Sequence, residues 1–433
     1  MEQDRATPRI AVCDTPQTLS PGGLQARRRV MPYVVSVLAL SASMHVACGD
    51  SSSAPNDPVP STVTTGGVGG TGGEGGEGGA TPTQDCEALA AAAQAALDAS
   101  LVAEQEAEPD RVGGTVAAVI SRDCQWAGST GNANAPARAD ATPLEPDGLL
   151  ALASVTKTYT AAMIMLAVED GLLGLDDTLA TYIVTGVPNE DTITIRQLLN
   201  HTAGVANYYD DDDFLQRTLT RPNSPVTPQQ LVDVAIGLGP AFEPGMDWAY
   251  SNTHFILLGM VLEEVFGDDL ATVYRQRLFE PHDLTRTFFY GERLPEPITR
   301  GFFGTSDTTG VPHPSVSWSS GGMVADVTDV TRWIRAFVSG DVLTEASTAE
   351  IQQWYNVGND VRYGLGLLWY RDPRVGLSIG HDGARPGYEA EVYHLPDQDL
   401  TVGILTNNRV SDDYVVWQTI TSVAVEALAE PER

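Results

Sequence analysis

The chain has 433 residues, of which 42% are hydrophobic, and its formal net charge is −32. A surface this acidic repels nucleic-acid phosphates and anionic lipid headgroups, which excludes nucleic acid as a partner. The length is enough for one large domain or two ordinary ones.

The N-terminal 85 residues predict export and tethering. Three arginines at 27–29 precede an apolar run over 31–40 and a small-residue stretch that ends at Cys48, which is typical of a signal peptide. Residues 1–47 are similar to a bacterial lipoprotein signal with Cys48 as the lipidated residue, although His45 stands where such signals usually carry Leu. Ordinary cleavage nearby, which leaves a free Cys48, is the alternative. The Gly-, Ser- and Pro-rich residues 48–85 are expected to form a flexible linker.

Export predicts both a location and a covalent link. We expect the protein in the bacterial cell envelope, in the periplasm or at the cell surface, with a lipid anchor as its only membrane contact. Export also implies an oxidising compartment, in which the remaining cysteines, Cys86 and Cys124, are expected to form a disulfide. Two buried free thiols are the alternative.

Residues 86–433 are expected to form one globular domain of the α+β class. An Ala-rich helix over 86–107 precedes two strands over 114–122 and 124–128. The middle is mostly helical, with predicted helices at 154–171, 195–199, 228–238, 253–266, 270–278, 328–339 and 344–355. The last part predicts strands at 375–380, 388–394 and 400–405, and a final helix at 412–429. Strands at both ends predict an antiparallel sheet flanked by terminal helices, with a helical insertion.

Ser154 and Lys157 stand three residues apart at the start of a predicted helix, and therefore on one helical face. The N–H groups and the positive dipole end at a helix N-terminus suit a developing oxyanion. Lys157 is the only lysine beside 24 arginines, and its amine, unlike a guanidinium, can lose its proton when it is desolvated. The pair predicts a nucleophilic serine that is activated by a neutral lysine.

The motif Tyr250-x-Asn252 lies just before the predicted helix over 253–266. A Tyr hydroxyl beside a cationic amine can have a lowered pKa and shuttle protons. An Asn amide can orient a substrate carbonyl. Simple capping of the helix by Asn252 is the alternative.

The motif His381-x-Gly383 follows the predicted strand over 375–380. Gly383 has no side chain, so a substrate backbone can approach closely there. A strand end that turns into the Pro-Gly at 386–387 is the alternative.

In this order, the three motifs resemble those of the serine penicillin-recognising enzymes. The likeness is greatest to the soluble DD-carboxypeptidases related to class C β-lactamases and to esterases of the same fold. It extends to residues 154–158, 194–204, 250–259, 316–323 and 363–366, and it covers most of residues 110–425. The resemblance implies that residues 86–433 form a serine hydrolase domain with the β-lactamase/DD-peptidase fold.

The resemblance also implies roles for individual residues. Ser154 would be the acylated nucleophile, and Lys157 and Tyr250 would share the proton transfers. Asn252 would bind the amide of the acyl side chain, and His381 would take the place that Lys holds in β-lactamases. The N–H groups of Ser154 and Ala384 would form the oxyanion hole. No metal or organic cofactor is implied.

Two positions depart from the pattern, and both concern a substrate carboxylate. DD-carboxypeptidases of this kind hold that carboxylate with a Thr in the middle of His-x-Gly and with an Arg shortly after Tyr-Gly-Leu-Gly. Here these positions are Asp382 and Leu368. Arg385 is the alternative cation if residues 381, 383 and 385 share a strand face.

The leading expectation is a D-alanyl-D-alanine carboxypeptidase-like peptidase acting on peptidoglycan-type peptides. An esterase or D-amino-acid amidase of the same fold is the alternative that Asp382 and Leu368 favour. A sensor that is acylated without turnover is a third. The acidic residues 210–213 are expected to be a solvated loop, with charge selection for cationic substrates as the functional alternative.

Overall fold

The computed structural model describes residues 84–107, 113–134, 141–358, 360–408 and 413–429. The predicted signal peptide, Cys48 and the linker up to residue 83 lie outside the described residues and stay predictions. The first helix begins at Gln84, so residues 84 and 85 belong to it and not to the linker.

Strands and helices follow one another as the sequence predicts in outline. The strands are β1 (Gly114–Ile120), β2 (Gln125–Gly131), β3 (Leu150–Ala151), β4 (Thr287–Phe289), β5 (Phe302–Phe303), β6 (Ser306–Asp307), β7 (Met323–Ala325), β8 (Tyr355–Gly358), β9 (Val361–Tyr363), β10 (Leu368–Asp372), β11 (Gly376–Arg385), β12 (Tyr388–Leu395) and β13 (Leu400–Thr406). The α-helices are α1 (Gln84–Ala107), α2 (Thr156–Glu169), α3 (Ile195–Leu199), α4 (Asp212–Thr220), α5 (Pro228–Leu238), α6 (Asn252–Phe266), α7 (Leu270–Tyr274), α8 (Trp318–Gly321), α9 (Val327–Ser339), α10 (Glu345–Ile351) and α11 (Asp413–Leu428).

The main sheet has eight strands in the order β2-β1-β13-β12-β11-β10-β9-β8, and each neighbouring pair is antiparallel. Strand β1 pairs with β13 from Thr115↔Thr406 to Ile120↔Thr401, which joins the two ends of the domain. Every residue of β1 is buried, because helices cover both faces of the sheet at its centre. A short sheet of β3, β7 and β4 lies within the helical part.

The terminal helices α1 and α11 pack on one face of the main sheet. Leu89 and Leu97 of α1 share an apolar cluster with Trp417 of α11 and Val402 of β13. A disulfide joins Cys86, at the start of α1, to Cys124, just before β2. By length and composition α1 is apolar enough to cross a membrane. The disulfide indicates folding in an oxidising compartment, which agrees with export.

The helical part covers the other face, with α2 at its centre. Helix α2 is buried on all sides from Thr156 to Met165, because it lies between the sheet and the surrounding helices. This position brings the turn at 153–155, which leads into α2, against β11, where the sheet and the helical part meet. The candidate site lies at this boundary.

The strand predicted over 375–380 extends further than the sequence suggests. Strand β11 runs from Gly376 to Arg385 and pairs with β12 up to Arg385↔Tyr388, so the turn comes only at 386–387. His381 and Gly383 therefore lie within the strand, and both the expectation that they follow its end and the simple-turn alternative were wrong. The helix predicted over 344–355 is also shorter, and its last turn gives way to strand β8.

Candidate active site

Ser154 lies in a one-turn 3-10 helix, Ala153–Val155, that leads directly into α2. Ala153 has a φ of 45°, a left-handed conformation that is costly for a residue with a side chain. The turn is held by the Leu152 N–H, which donates to Met323 O at 2.9 Å. Strained backbone that its surroundings hold in place is typical of functional sites.

Lys157 is fully buried one helical turn from Ser154. Its Nζ lies 3.1 Å from Ser154 Oγ, and it donates to Asn252 Oδ1 and to the Ser320 carbonyl, both at 2.8 Å. Burial lowers the pKa of Lys157 well below its ordinary value, and the negative charge of Asp382 opposes this in part. The environment therefore favours the neutral amine, as expected of a lysine that accepts a proton from serine.

The partners of Lys157 also orient that neutral amine. Asn252 Oδ1 and Ser320 O are both acceptors, so they engage the two N–H groups of an uncharged amine. The lone pair is then left for the third neighbour, Ser154 Oγ. In this arrangement the hydroxyl of Ser154 can donate its proton to Nζ.

Tyr250 stands on the other side of the nucleophile. Its ring centroid is 4.9 Å from Lys157 Nζ, and its hydroxyl is close enough to Ser154 for that residue to influence its pKa. Burial raises the pKa of Tyr250 far above its ordinary value. The expectation of a lowered pKa was wrong, because burial outweighs any neighbouring charge and the buried lysine is neutral. Tyr250 is therefore a protonated phenol that can donate a proton.

Asn252 is the first residue of α6, and Ser251 occupies the N-cap position. The capping alternative for Asn252 was wrong. Its Oδ1 accepts from Lys157, while its backbone N–H and Nδ2 donate to Asn207 Oδ1 at 3.1 and 3.3 Å. The amide thus fixes the position of Lys157, and Asn207 fixes the amide.

His381 is buried, and its Nε2 lies 3.1 Å from the Tyr363 hydroxyl. Its Nδ1 lies 2.5 Å from the Asp382 carbonyl, which can only accept, so Nδ1 carries the hydrogen and Tyr363 donates to Nε2. Burial lowers the pKa of His381 to about 3. His381 is therefore a neutral side chain in a fixed tautomer.

Gly383 brings the strand backbone against Ser154. A Cβ at this position would lie 2.2 Å from Leu152 O and 3.0 Å from Ser154 N. Ala384 is the next residue along β11. Strand β10 pairs with β11 only as far as Gly380, so residues 381–385 leave that edge without a strand partner in the described part of the chain. A substrate backbone can lie along this edge, beside the Ser154 N–H.

The two positions that depart from the family pattern hold no cation. Leu368 is 5% exposed and packs in the apolar cluster with Tyr363 and Tyr370. Asp382 Oδ1 lies 3.6 Å from His381 Nδ1, and the Asp382 side chain is 16% exposed. This end of the site is therefore acidic or apolar where a carboxylate-binding site needs a positive charge.

A pair of buried histidines, His201 and His254, lies beside Tyr250, and the ring of His201 packs against the ring of Tyr250. His201 Nδ1 lies 3.0 Å from His254 Nδ1, and the ring of His201 packs 4.4 Å from that of Tyr250. Burial lowers the pKa of both histidines, so both are neutral. The Ser251 N–H donates to His201 Nδ1 at 3.3 Å, which ties the pair to the backbone of the Tyr250 motif.

Sequence reasoning missed this support, together with Ser320 and Asn207. His201 falls within a segment of family likeness at 194–204, which is the one signal that could have drawn attention to it. The contacts of Ser320 and Asn207 with the site depend on tertiary packing. Ser320 falls within the segment of family likeness at 316–323, whereas nothing in the local sequence marks Asn207.

The acidic residues 210–213 have mainly local roles. Asp211 caps helix α4 by accepting from the Phe214 N–H, and the next two aspartates lie in the first turn of that helix. Asp210 accepts from Asn207 Nδ2 at 3.4 Å, and burial raises the pKa of Asp210 to about 6. The described residues contain no group of three or more His, Cys, Asp or Glu side chains that could hold a metal ion.

Comparison with known proteins extends the likeness over residues 99–424. A sequence model of the Beta-lactamase family matches residues 99–424. Penicillin-binding protein 4* of Bacillus subtilis (strain 168) is 30% identical over 327 residues, which are 71% of this chain and 70% of that protein.

Solved structures confirm the expected fold, an α+β architecture with an antiparallel sheet, flanking terminal helices and a helical insertion. The D-stereospecific amidohydrolase from Streptomyces sp. has a TM-score of 0.65 and 28% identity, covering 76% of this chain and 97% of its own. The D-amino acid amidase from Ochrobactrum anthropi SV3 has a TM-score of 0.68 over 78% of this chain and 98% of its own. At 23% identity, this second likeness shows the fold alone.

Proposed function

Since this chain belongs to the Beta-lactamase family and is a serine hydrolase of that family, we propose that it cleaves amide bonds of D-configured substrates through an acyl-enzyme on Ser154. The observation that carries the proposal is the buried Lys157 amine, whose lone pair is left for Ser154 Oγ at 3.1 Å. Positioned general bases of this kind accelerate proton-coupled attack about 10²- to 10⁴-fold.

In acylation, Ser154 Oγ attacks the substrate carbonyl carbon while its proton passes to Lys157 Nζ. The carbonyl oxygen becomes an oxyanion, which the N–H groups of Ser154 and Ala384 stabilise. Each such donor lowers the barrier by about 3–4 kcal/mol. Tyr250 donates its proton to the leaving nitrogen as the C–N bond breaks, and it recovers a proton from Lys157. The amine leaves, and the acyl group stays on Ser154.

In deacylation the same groups act in reverse. Water passes its proton through the Tyr250 hydroxyl to Lys157 Nζ as the water oxygen attacks the ester carbonyl, and Ser154 Oγ leaves with that proton. Asn252 and the Ser320 carbonyl hold the amine in one orientation through both steps, so neither step requires side-chain movement at Lys157.

The substrate class follows from the end of the site that lacks a cation. A charge-assisted contact to a carboxylate contributes about 1.5–3 kcal/mol, and Leu368 cannot make one. Asp382 adds repulsion toward a negatively charged leaving group. Leaving groups without a carboxylate, such as ammonia, an amine or an alcohol, are therefore favoured. The D-configuration is proposed because a similar protein is named a D-stereospecific amidohydrolase.

A D-alanyl-D-alanine carboxypeptidase is the second candidate, which the 30% identity to penicillin-binding protein 4* favours. Its leaving group is free D-alanine, which carries the carboxylate that this site is poorly built to bind. The two candidates therefore differ in one substrate group. A sensor that is acylated without turnover differs from both in the fate of the adduct.

The test compares an acyl-D-alanine amide with an acyl-D-alanyl-D-alanine peptide, using the purified full-length chain and a Ser154→Ala variant. We expect release of ammonia from the amide at least tenfold faster than release of D-alanine from the peptide, and neither product from the variant. Faster release of D-alanine would support the carboxypeptidase. A stable stoichiometric adduct on Ser154, seen by intact mass, would support the sensor. No product and no fluorophosphonate adduct would refute an acyl-enzyme on Ser154.

A further inference from the structure

Arg385 is the last residue of β11, two positions beyond Gly383. Alternate residues of a strand point to the same face, so Arg385 shares the face of Gly383 and His381. Two strand residues span about 7 Å, which places His381 and Arg385 on opposite sides of the contact between Gly383 and Ser154. The strand thus passes the nucleophile with one side chain at each end of the site.

The guanidinium of Arg385 is largely buried and poorly satisfied. Its Nη2 donates to the Pro312 carbonyl at 2.8 Å, and its Nε has no hydrogen-bond partner among the described residues. Burial lowers its pKa, and the groups whose charge opposes this are two tyrosines, Tyr209 and Tyr388, with no carboxylate among them. By contrast, the neighbouring Arg300 is exposed and pairs with Asp307.

A buried cation without a counter-charge is unfavourable, and a bound anion relieves that cost. The anion would reach Arg385 from the catalytic cleft. Tyr209 influences the pKa of both Tyr250 and Arg385, so the three side chains lie in one part of the site. Tyr209 is itself fixed, because its hydroxyl lies 3.1 Å from Ser317 Oγ.

The family resemblance indicates which end of the site receives which part of the substrate. The leaving group's carboxylate is held, in the related carboxypeptidases, at the positions of Asp382 and Leu368. Those positions lie at the His381 end of the strand. Arg385 lies at the opposite end, where the acyl part of the substrate must extend.

We infer that Arg385 binds a carboxylate on the acyl part of the substrate, about 7 Å from the scissile carbonyl. The inference rests on the proposed function and adds a preference for acidic acyl groups. It also changes the role first expected for Arg385, since at this end it cannot replace the missing arginine for the leaving group. The site is then polarised, with Asp382 at the leaving-group end and Arg385 at the acyl end.

The test uses two substrates that share one leaving group. Succinyl-D-alanine p-nitroanilide carries a carboxylate about 7 Å from the scissile carbonyl, and acetyl-D-alanine p-nitroanilide carries none there. The full-length chain, Arg385→Gln, Arg385→Lys and the surface control Arg300→Gln are compared by kcat/KM. Melting temperatures establish that each variant is folded.

We expect the unmodified chain and Arg300→Gln to prefer the succinyl substrate at least tenfold, as a charge-assisted contact predicts. Arg385→Gln should lose this preference while still cleaving the acetyl substrate, and Arg385→Lys should keep part of it. Equal rates for both substrates in the unmodified chain would overturn the inference and leave the proposed function standing. An equal loss on both substrates in Arg385→Gln would mean that Arg385 only ties β11 to Pro312, which also overturns it. No cleavage of either substrate, with no Ser154 adduct, would instead count against the proposed function.

Discussion

Replacing Gly383 with alanine tests whether close contact between β11 and the nucleophile is required for catalysis. The new Cβ would lie 2.2 Å from Leu152 O, whereas ordinary contact begins at 3.4 Å. The backbone of β11 at residue 383 and the backbone at Leu152 must therefore separate by about 1.2 Å, the difference between the two distances. Leu152 and Ser154 belong to the same turn, so this shift moves the nucleophile and its N–H away from the strand.

A displacement of about 1 Å at a reacting group lowers a rate roughly a hundredfold. We expect Gly383→Ala to lower kcat/KM by about that factor and to cost about 1–3 kcal/mol of unfolding free energy from overpacking. The assay is the steady-state cleavage of acetyl-D-alanine p-nitroanilide, with fluorophosphonate labelling of Ser154 as a separate measure of the nucleophile.

Gly237→Ala is the matched control. Gly237 lies in helix α5, and a Cβ there would meet nothing within 4 Å. The same chemical change should leave kcat/KM unaltered and raise stability by up to about 1 kcal/mol, because alanine favours the helix. If Gly383→Ala retained half or more of the original kcat/KM, the contact would not be a catalytic requirement and the reasoning would be refuted.

Three further predictions concern the lysine and the disulfide. Lys157→Arg should fold but lose at least about 10²-fold in kcat/KM, since a guanidinium cannot accept the serine proton; rates within tenfold of the original would contradict a lysine base. Because Lys157 is the only lysine, ¹⁵N-lysine labelling gives one side-chain signal, which should titrate well below the ordinary lysine pKa. Asp382 raises that pKa, so Asp382→Asn should lower it and move the rise of activity with pH to lower pH; an unchanged profile would exclude this coupling. Replacing both Cys86 and Cys124 by serine should cost about 4 kcal/mol of unfolding free energy, as closure of a 38-residue loop predicts. Chemical denaturation measures that cost, and a loss below 1 kcal/mol would argue against the estimate from chain entropy.

The elements with strong local signals were predictable from the sequence. The helices around Ser154 and at 253–266 are long, largely apolar runs, which indicates buried helices, and the terminal strands alternate or are continuously apolar. The contact between Ser154 and Lys157 was predictable for a chemical reason, because Lys157 is the only lysine where arginine is otherwise used. The order of the three motifs then indicated the family and, with it, the fold.

What could not be predicted depends on contacts between distant segments. The extension of β11 past Gly380 comes from pairing with β12 and not from its own residues. The pKa of Tyr250 is raised because the side chain is buried, and the neighbouring sequence does not indicate that burial. Asn207 and Ser320 reach the site only through packing, although together with Asn252 they decide how the Lys157 amine is oriented.

The disulfide between Cys86 and Cys124 has a mechanical consequence. The chain enters the described domain at Gln84, two residues before this bridge. A force applied to the chain before Gln84 is transmitted through the disulfide to Cys124 and then to β2, an edge strand of the eight-stranded sheet. Helix α1 is then not the element that bears this force. If the disulfide were reduced, the same force would act on the first turn of α1 and separate that turn from the sheet. The oxidation state of this disulfide therefore decides whether the sheet or helix α1 bears a force applied to the chain before Gln84.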